Sequence, residues 1–345
     1  MDELGWQTLL AAELAPFKIA AVLADALRWP EQASAIIQDH PLLSEEERKR
    51  AKNPYPRAFE KAMAAGVRIA DRRSFPAWMG EAPISPAIFY WGDFSAAAAP
   101  TVGIVGTRGA STYGKAVAIK FAEALAGMGV TIVSGGALGI DAAAHRGALS
   151  VGGKTIAVLA GGIEQVYPSA HAGLFESIKQ NGCLVSHHAI GSRPNPYKFL
   201  SRNHLIAALS QAVLVVEAPE RSGSLSTVHA ALEQNKQVLV VPANIDQLSF
   251  AGSHALIRDG ATLVYHPDQV CEALGLERKK AKEPAKPELS TMGKKIVAAL
   301  KDGPLSGEMI VDRTVCETSD VMSELTLLEL DGHIMRDGGK YAVRF

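Results

Sequence analysis

The chain has 345 residues, of which 48% are hydrophobic, so it can bury a sizeable core and is not a disordered protein. Its 35 basic and 36 acidic residues leave a net charge of −1, which excludes a uniformly basic protein and confines any nucleic-acid-binding surface to a local patch. The three cysteines, Cys183, Cys271 and Cys316, are far apart and fit neither a disulfide framework nor a zinc site. With no leader-like segment and no apolar run long enough to span a bilayer, the sequence predicts a cytoplasmic protein that does not enter a membrane.

Residues 1–75 predict a helical domain, because they are rich in Ala, Leu and Glu at helical spacing. Leu9, Leu10 and Leu14 fall on one helix face, and repeated prolines keep the helices short. Ser44 followed by Glu47 is the pattern of a capping box, in which each side chain takes an N–H that the first helical turn leaves unpaired.

From about residue 101 to 276, short β-branched runs alternate with helical stretches, which is typical of a doubly wound α/β domain. With the entry segment that leads into it, this Rossmann-like domain is predicted at 76–276. Several runs are apolar throughout, as expected of parallel strands that helices cover on both faces. The predicted strands are 101–105, 130–133, 155–159, 183–186, 212–217, 237–241 and 262–264. The predicted helices are 114–128, 141–150, 171–181, 202–209, 225–235 and 253–259.

A charged, proline-containing linker is predicted at 277–288, and a winged helix-turn-helix at 289–345. Its helices are predicted at 292–300, 307–314 and 319–330, followed by a hairpin at 334–344 that turns at 337–339. The third helix contains Glu324 and Glu329, with Asp331 just beyond, and no Lys or Arg. Because such a face repels phosphate, a protein contact is at least as well supported as duplex binding.

Three polar turns follow predicted strands and indicate an anion-binding crevice. Glycines there let the backbone approach a ligand, and helix N-termini favour an anion. Because the carboxyl ends of parallel strands converge, the three turns should share one crevice. The glycines lack dinucleotide spacing, so no NAD site or other cofactor is predicted. The candidate residues are Gly106, Thr107, Arg108 and Ser111 in the first turn, Ser134, Gly135, Gly139 and Asp141 in the second, and Ser222, Gly223 and Ser224 in the third.

The segment from Lys198 to Asn203 combines cations with an aromatic ring. Lys198 and Arg202 could pair with phosphates while Phe199 stacks on a base, which is how single-stranded nucleic acid is bound. The alternative is that Phe199 simply belongs to the core.

Two histidine motifs have competing interpretations. Asp141 and His145 are four residues apart on one helix and could act as orienter and base, but a favourable Asp at the helix N-terminus is the preferred interpretation. His187 and His188 could suggest a metal pair, yet no further ligand stands at suitable spacing, so no metal site is predicted.

The motifs between residues 102 and 264 resemble the Rossmann-like domain of the DNA-processing protein A family (DprA, also called Smf). The matching pieces are Val105-Gly106-Thr107-Arg108, Ser134-Gly135-x-Ala137-x-Gly139-Ile140-Asp141, Tyr167-Pro168, Phe199-x-x-Arg202-Asn203, Glu217-Ala218 and Ser222-Gly223-Ser224-Leu225. Less closely, residues 1–75 resemble the family's SAM-like or helix-hairpin-helix domain, and 289–345 its winged helix.

The resemblance implies a non-catalytic protein that binds single-stranded DNA, protects it and helps load RecA in natural transformation. It also implies a homodimer through the Rossmann-like domain. Arg108 would lie at the DNA phosphate pocket, and Phe199, Arg202 and Asn203 in the single-strand contact region. The alternative from the residues alone is a nucleotide or nucleoside hydrolase that uses Asp141, His145 or Glu217 as acid or base, by analogy of fold.

Overall fold

The structure is a computed structural model that describes residues 1–14, 16–52, 55–79, 84–276, 289–301, 303–330, 333–337 and 339–343. The chain divides into two compact units, Met1–Arg278 and Lys279–Phe345. The predicted linker at 277–288, together with Asp331 and Gly338 of the predicted winged helix, lies outside the described residues.

The first unit begins with five helices: α1 (Glu3–Ala12), α2 (Pro16–Arg28), α3 (Ala33–Asp39), α4 (Glu45–Ala51) and α5 (Pro56–Ala64). The predicted capping box starts α4. The Glu47 N–H donates to the Ser44 hydroxyl at 3.3 Å, and the Ser44 N–H donates to the Glu47 carboxylate at 2.7 Å.

A mostly parallel sheet forms the centre of this unit, in the order β1-β2-β6-β5-β4-β3-β7-β8-β9. Its strands are β1 (Arg68–Asp71), β2 (Ala87–Gly92), β3 (Thr101–Val105), β4 (Thr131–Ser134), β5 (Thr155–Val158), β6 (Gly182–Ser186), β7 (Ala212–Val215), β8 (Gln237–Val240) and β9 (Thr262–Leu263). The seven predicted strands are β3 to β9, and their pairings with one another are all parallel. Strands β1 and β2 were not predicted, and they add antiparallel pairings at one edge.

The boundary predicted at residue 75 between a helical domain and the sheet is wrong. Arg68–Asp71 is the edge strand, so the sheet begins before that boundary. Ala87 of β2 also packs into one apolar cluster with Trp6 and Leu9 of α1. The helices and the sheet therefore share a core and form one compact unit.

Seven helices accompany the sheet: α6 (Thr112–Gly127), α7 (Ile140–Ser150), α8 (Ala172–Asn181), α9 (Pro196–Ala208), α10 (Leu225–Glu233), α11 (Ala251–Arg258) and α12 (Pro267–Ala273). Successive residues of β3 pack on opposite faces of the sheet: Ile104 packs with Phe121 of α6, and Val105 packs with Ile206 of α9. Both sheet faces are covered, which explains why the central strands are apolar throughout.

Helix α9 begins six residues before its predicted start at 202. Asn195 caps it by accepting a hydrogen bond from the Lys198 N–H at 2.9 Å, and Pro196 occupies the first helical position. Proline is well tolerated there, because its missing N–H would be unpaired anyway. Phe199, which lay outside the predicted helix, therefore shares one helix face with Arg202 and Asn203.

The strand order places a topological switch point at β3. The chain moves outward from β3 to β4, β5 and β6, then returns to β7 on the other side of β3. Ligands of open α/β sheets bind at such a point, beyond the carboxyl ends of the strands. The first and third predicted turns follow β3 and β7, and the second follows β4.

The second unit is a small winged-helix fold. It consists of α13 (Thr291–Ala299), β10 (Leu305–Ser306), α14 (Gly307–Thr314), α15 (Thr318–Leu330), β11 (Ile334–Asp337) and β12 (Lys340–Val343). The strands pair antiparallel in the order β10-β12-β11. Ile296, Ile310, Leu325 and Ile334 join the three helices and the wing in one apolar core.

Candidate nucleic-acid interface

A cleft of about 400 Å³, here called the central cleft, opens beyond β3 and β7. It combines backbone turns, hydroxyl groups, cations and one aromatic ring. Of the predicted site residues, it is lined by Gly106, Thr107, Arg108, Asp141, Phe199, Arg202, Asn203, Ser222, Gly223 and Ser224. The structure thus brings all three predicted turns and the face of α9 together.

The first turn is fixed by Glu217, which is fully buried at the end of β7. The Thr107 N–H donates to the Glu217 carbonyl at 2.7 Å, and the Ser111 N–H and hydroxyl donate to the Glu217 carboxylate at 3.0 and 2.8 Å. A side chain at Gly114 would overlap that carboxylate. The turn between β3 and α6 is therefore held rigidly before any ligand arrives.

Arg108 extends from this turn and is exposed. Its guanidinium carbon lies 5.1 Å from the centre of the Phe199 ring, within the range of a cation–π contact. It forms no ion pair with any of the described residues. The cation is therefore available to a phosphate group at the mouth of the cleft.

Arg202 also borders the cleft, but it is only 5% exposed. Its guanidinium donates to the carbonyls of Gly135 and Val158, at 2.5 and 2.9 Å, and to the Asn203 side chain at 3.0 Å. Burial lowers the pKa of the guanidinium, and the nearby Asp141 charge partly opposes that change. Arg202 thus connects α9 to the ends of β4 and β5. The structure supports this positioning role in place of the predicted direct contact with a phosphate of the nucleic acid.

Asp141 and His145 do not form the pair that a catalytic interpretation requires. The Asp141 carboxylate accepts the N–H groups of Gly135 and Ala137, at 3.2 and 3.3 Å, and burial raises its pKa. His145 Nδ1 lies 2.7 Å from the Thr155 hydroxyl, and burial lowers the pKa of His145 to about 3. Asp141 thus stabilises the turn at the start of α7.

The third turn supplies the hydroxyl groups of the predicted Ser222 and Ser224, and it adds a cation that the sequence interpretation missed. The Ser222 and Ser224 hydroxyls lie 2.7 Å apart, and the Asn203 amide donates to Ser226 at 2.6 Å. Arg221 lines the cleft and is exposed. Its position in the turn after β7, directly before Ser222, was the signal that could have identified it.

Lys198 does not reach the central cleft. It is buried in contact with α1, where its ammonium group lies 2.8 Å from the Glu13 carboxylate. Two hydrogen bonds between the Gln7 side chain and the Ile190 backbone, at 3.0 and 3.1 Å, join α1 to the segment that precedes α9. Lys198 thus links the amino-terminal helices to the start of α9, and its predicted role as a free cation is not supported.

Four other predicted site residues stabilise the turns or contact other parts of the protein. Ser111 caps α6, and the fully buried Ser134 donates its hydroxyl to the Ile104 carbonyl at 2.6 Å. Gly139 has a φ of +80°, and a side chain there would overlap the Thr107 carbonyl. Gly135 accepts from Arg202 and lines a second cavity beside the central cleft.

The half-buried His187 and the buried His188 lie with their ring centres 4.4 Å apart. Their Nε2 atoms lie 3.1 and 3.4 Å from the Ser201 hydroxyl. Burial lowers the pKa of His187 to about 4 and that of His188 to about 2. Within the part of the chain that the structure describes, no three His, Cys, Asp or Glu side chains are grouped to hold a metal ion.

None of the helices in the described ranges has both the length and the apolar character of a membrane span.

Comparisons with known proteins agree on one family. A model of the family described as DNA recombination-mediator protein A matches residues 67–275, and that of the DprA winged helix domain matches residues 280–340. Over 264 residues the chain is 37% identical to Protein Smf of Escherichia coli (strain K12), which covers 74% of this chain and 71% of that protein.

Two solved structures share the fold. The X-ray structure of DNA processing protein A from Streptococcus pneumoniae has a TM-score of 0.67 and 30% identity, covering 77% of this chain and 95% of that chain. A structure of DNA processing protein A from Helicobacter pylori, which concerns its single-stranded DNA binding mode, has a TM-score of 0.55 and 29% identity, covering 61% of this chain and 95% of that chain.

Proposed function

The chain belongs to the DNA recombination-mediator protein A (DprA/Smf) family, and we propose that it binds single-stranded DNA in the central cleft as a non-catalytic recombination mediator. One observation carries this proposal: the exposed Arg108 guanidinium lies beside the Phe199 ring in a cleft formed by backbone turns. A cation for phosphate next to an aromatic ring for a base is the combination that unpaired strands require.

The strand would cross the cleft between two cations. Arg108 stands on the turn after β3, and Arg221 on the turn after β7, where Ser222 and Ser224 add hydroxyl donors. Residues 101–270 contain 12 Lys or Arg and 10 Asp or Glu, a net charge of only +2. Binding therefore depends on where these cations lie, and it should weaken as salt rises.

The contacts of the three acid–base candidates favour binding over hydrolysis. Glu217 is fully buried and holds the first turn, Asp141 accepts two backbone N–H groups, and His145 contacts Thr155. A hydrolase would release base or sugar phosphate from mononucleotides, and Glu217→Gln would abolish that release. We expect no release by the wild-type protein.

We further propose that the protein protects incoming strands in the cytoplasm and helps load RecA onto them during natural transformation. Support comes from the family relationship and the single-strand site. The test is RecA filament formation on strands already covered by a single-strand-binding protein. Addition of the wild-type chain should speed assembly, and Arg108→Ala should not. Equal stimulation by both proteins would contradict the proposal.

A homodimer through the Rossmann-like domain is proposed at the β9 edge of the sheet. β9 has one open side, and exposed apolar residues follow β8 and β9, with Ile245 96%, Leu248 84% and Tyr265 71% exposed. An open strand edge with an apolar rim suits a second copy of the chain. Light scattering should show a dimer for the wild type and a monomer for the Ile245→Ser/Leu248→Ser variant.

For the winged helix we favour a protein contact over duplex binding. Helix α15 exposes Met322 and Leu327 beside Glu324 and Glu329, and it contains no basic residue. Replacing both glutamates by lysine should leave duplex affinity unchanged if the helix contacts protein. A duplex affinity that rises strongly with this change would favour the groove-binding alternative.

The decisive experiment is a salt-dependent titration of the full chain with single-stranded and double-stranded DNA of equal length. We expect tighter binding of the single strand and a linear fall of log affinity with log salt concentration. Equal affinity for both forms would reject the proposed substrate class.

A further inference from the structure

The corner between α14 and α15 of the winged helix exposes an apolar side chain among carboxylates, and we propose that it docks a basic amphipathic helix of a partner protein. The corner, here called the acidic corner, consists of the outer face of α14, the turn at 315–317 and the start of α15. This inference rests on the protein contact proposed above for the winged helix, and it adds the docking residue and the chemistry of the partner.

Val315, in the turn of the acidic corner, has a backbone conformation that valine rarely adopts. Its φ is +51° and its ψ is +48°, in the left-handed region, directly after the last residue of α14. Glycine commonly occupies this place because it has no Cβ, and a β-branched residue there is an outlier. The Val315 N–H donates to the Val311 carbonyl at 3.0 Å, a bond that glycine or asparagine would make equally well. The backbone of the corner therefore does not require valine.

The Val315 side chain does not contribute to the core. It is 89% exposed and lies outside the apolar core that Ile310 and Leu325 help to form. A strained backbone around an exposed apolar side chain lowers stability, and such strain is characteristic of sites that contact another molecule. The valine therefore points to a partner that covers it.

Four carboxylates surround this valine. Glu308 and Asp312 lie four residues apart and share the outer face of α14, while Glu317 and Asp320 follow the turn. All four side chains are exposed, and none forms an ion pair with a residue in the described ranges. Their negative charge is therefore available to a cationic partner.

The two helices of the corner contain almost no compensating positive charge. From 307 to 330 the sequence has six Asp or Glu and one basic residue, Arg313. The Arg313 guanidinium donates to the Ala299 carbonyl of α13 at 3.0 Å, so it is engaged within the winged helix. The acidic corner is thus strongly negative over a continuous stretch of chain.

This charge decides which class of partner fits. A nucleic acid would bring phosphates against the carboxylates, which is unfavourable. A basic amphipathic helix has the complementary pattern, because apolar side chains three or four residues apart can cover Val315 and the half-exposed Met309. Its Lys or Arg side chains then reach the carboxylates on either side, as in the polar rim of a protein interface.

The test uses a labelled designed peptide of leucine and lysine whose leucines fall on one helix face. Fluorescence anisotropy should show that the full chain binds it, and that affinity falls as salt rises. A peptide of the same composition with its leucines scattered around the helix should bind roughly tenfold more weakly, because it cannot cover the valine. Absence of binding, or equal binding of the scattered peptide, would overturn the proposal.

Val315→Asn separates docking from folding. Asparagine tolerates the left-handed conformation, so the melting temperature should stay the same or rise. Peptide affinity should fall roughly tenfold, the effect of one valine that the partner no longer covers. Asp312→Lys, at an exposed position, is the second variant, and it should lower peptide affinity and its salt dependence together. The matched control is Met335→Thr on β11, which is 48% exposed in the wild type and should change neither quantity.

The outcomes separate this inference from the proposals on which the rest of the function depends. If duplex affinity rises when Glu324 and Glu329 are replaced by lysine, the protein contact itself fails. If it does not rise, but Val315→Asn binds the peptide as tightly as the wild type, the peptide docks elsewhere and only this inference fails. A lower melting temperature for Val315→Asn would assign the valine to the fold and would also overturn it. Single-strand affinity should be the same for Val315→Asn and the wild type.

Discussion

The central cleft has an outer layer and an inner layer. Both contain charged residues, but those of the outer layer face solvent and those of the inner layer are hydrogen-bonded to the backbone. Arg108, Phe199 and Arg221 form the outer layer, where both guanidinium groups face solvent. Arg202, together with Asp141, forms the inner layer, where each charged group is bound by backbone carbonyl or N–H groups. Whether a charged residue can bind a ligand is therefore decided by the hydrogen bonds that it already makes and not by its proximity to a cleft.

The largest effect on stability is expected from acid, through three histidines that burial keeps neutral. His145, His187 and His188 have pKa values lowered by burial to about 3, 4 and 2. The unfolded chain takes up these protons near pH 6.5 and the folded chain does not, so stability falls as pH drops from about 6.5 towards 4. Each histidine contributes about 1.4 kcal/mol per pH unit, and the raised pKa of Asp141 acts in the opposite direction.

Urea unfolding at pH 7, 6 and 5 measures this effect. His187→Gln should make the free energy of unfolding depend less steeply on pH, whereas His229→Gln, at an exposed position, should leave that dependence unchanged. A free energy of unfolding that is the same at pH 5 and pH 7 would contradict the lowered pKa values of these three histidines.

The next largest effect is expected from Arg202→Met. The change leaves the Gly135 and Val158 carbonyls without their donor and the buried Asp141 without a compensating charge. We expect a loss of about 3–5 kcal/mol in the free energy of unfolding, measured by chemical denaturation. Arg146→Met, on the exposed face of α7, is the matched control and should be nearly neutral. A loss below about 0.5 kcal/mol would place Arg202 in the outer layer instead.

Arg108→Ala should weaken the binding of single-stranded DNA and leave the stability of the protein almost unchanged. Because the side chain is exposed, the free energy of unfolding should change by less than about 0.5 kcal/mol. Single-strand affinity should fall roughly tenfold, and the slope of log affinity against log salt should lessen by about 1, as one phosphate contact is lost. Arg146→Ala serves as the control for a general loss of charge. An unchanged affinity would remove Arg108 from the site.

Lys198→Met should have the smallest effect on binding. Its ammonium group is paired with Glu13, so the salt slope should not change, and stability should fall by about 1 kcal/mol. Glu13→Gln should cause a similar loss, and the double variant should lose less than the sum of the two. A salt slope that drops as it does for Arg108→Ala would show that Lys198 leaves Glu13 to contact the strand.

The sequence predicts the parallel strands and the three polar turns well because both depend on local patterns. Apolar runs identify β3 to β9, and glycine-containing turns after them identify the crevice. Strand β2 was missed because its apolar run, Ala87–Gly92, lacks neighbouring strand–helix alternation that would place it in the sheet. The start of α9 was missed because Pro196 resembles a loop residue until Asn195 is known to cap the helix.

The division into outer and inner layers could not be predicted, because it depends on contacts between distant residues. Glu13 and Lys198 are 185 positions apart in the chain, and Arg202 meets the Gly135 carbonyl across 67 positions. Nothing in the local pattern distinguishes Arg202 from Arg108. Only the completed fold shows which cation is already bound.

The contact between Gly114 and Glu217 has a consequence for variation at these positions. Since a side chain at 114 would overlap the Glu217 carboxylate, no other residue fits there while the glutamate remains. A shorter side chain at 217 would make room for alanine at 114, but it would also release the two donors of Ser111. We therefore expect the two positions to tolerate replacement only jointly, with a third change near residue 111 that restores a partner for those donors.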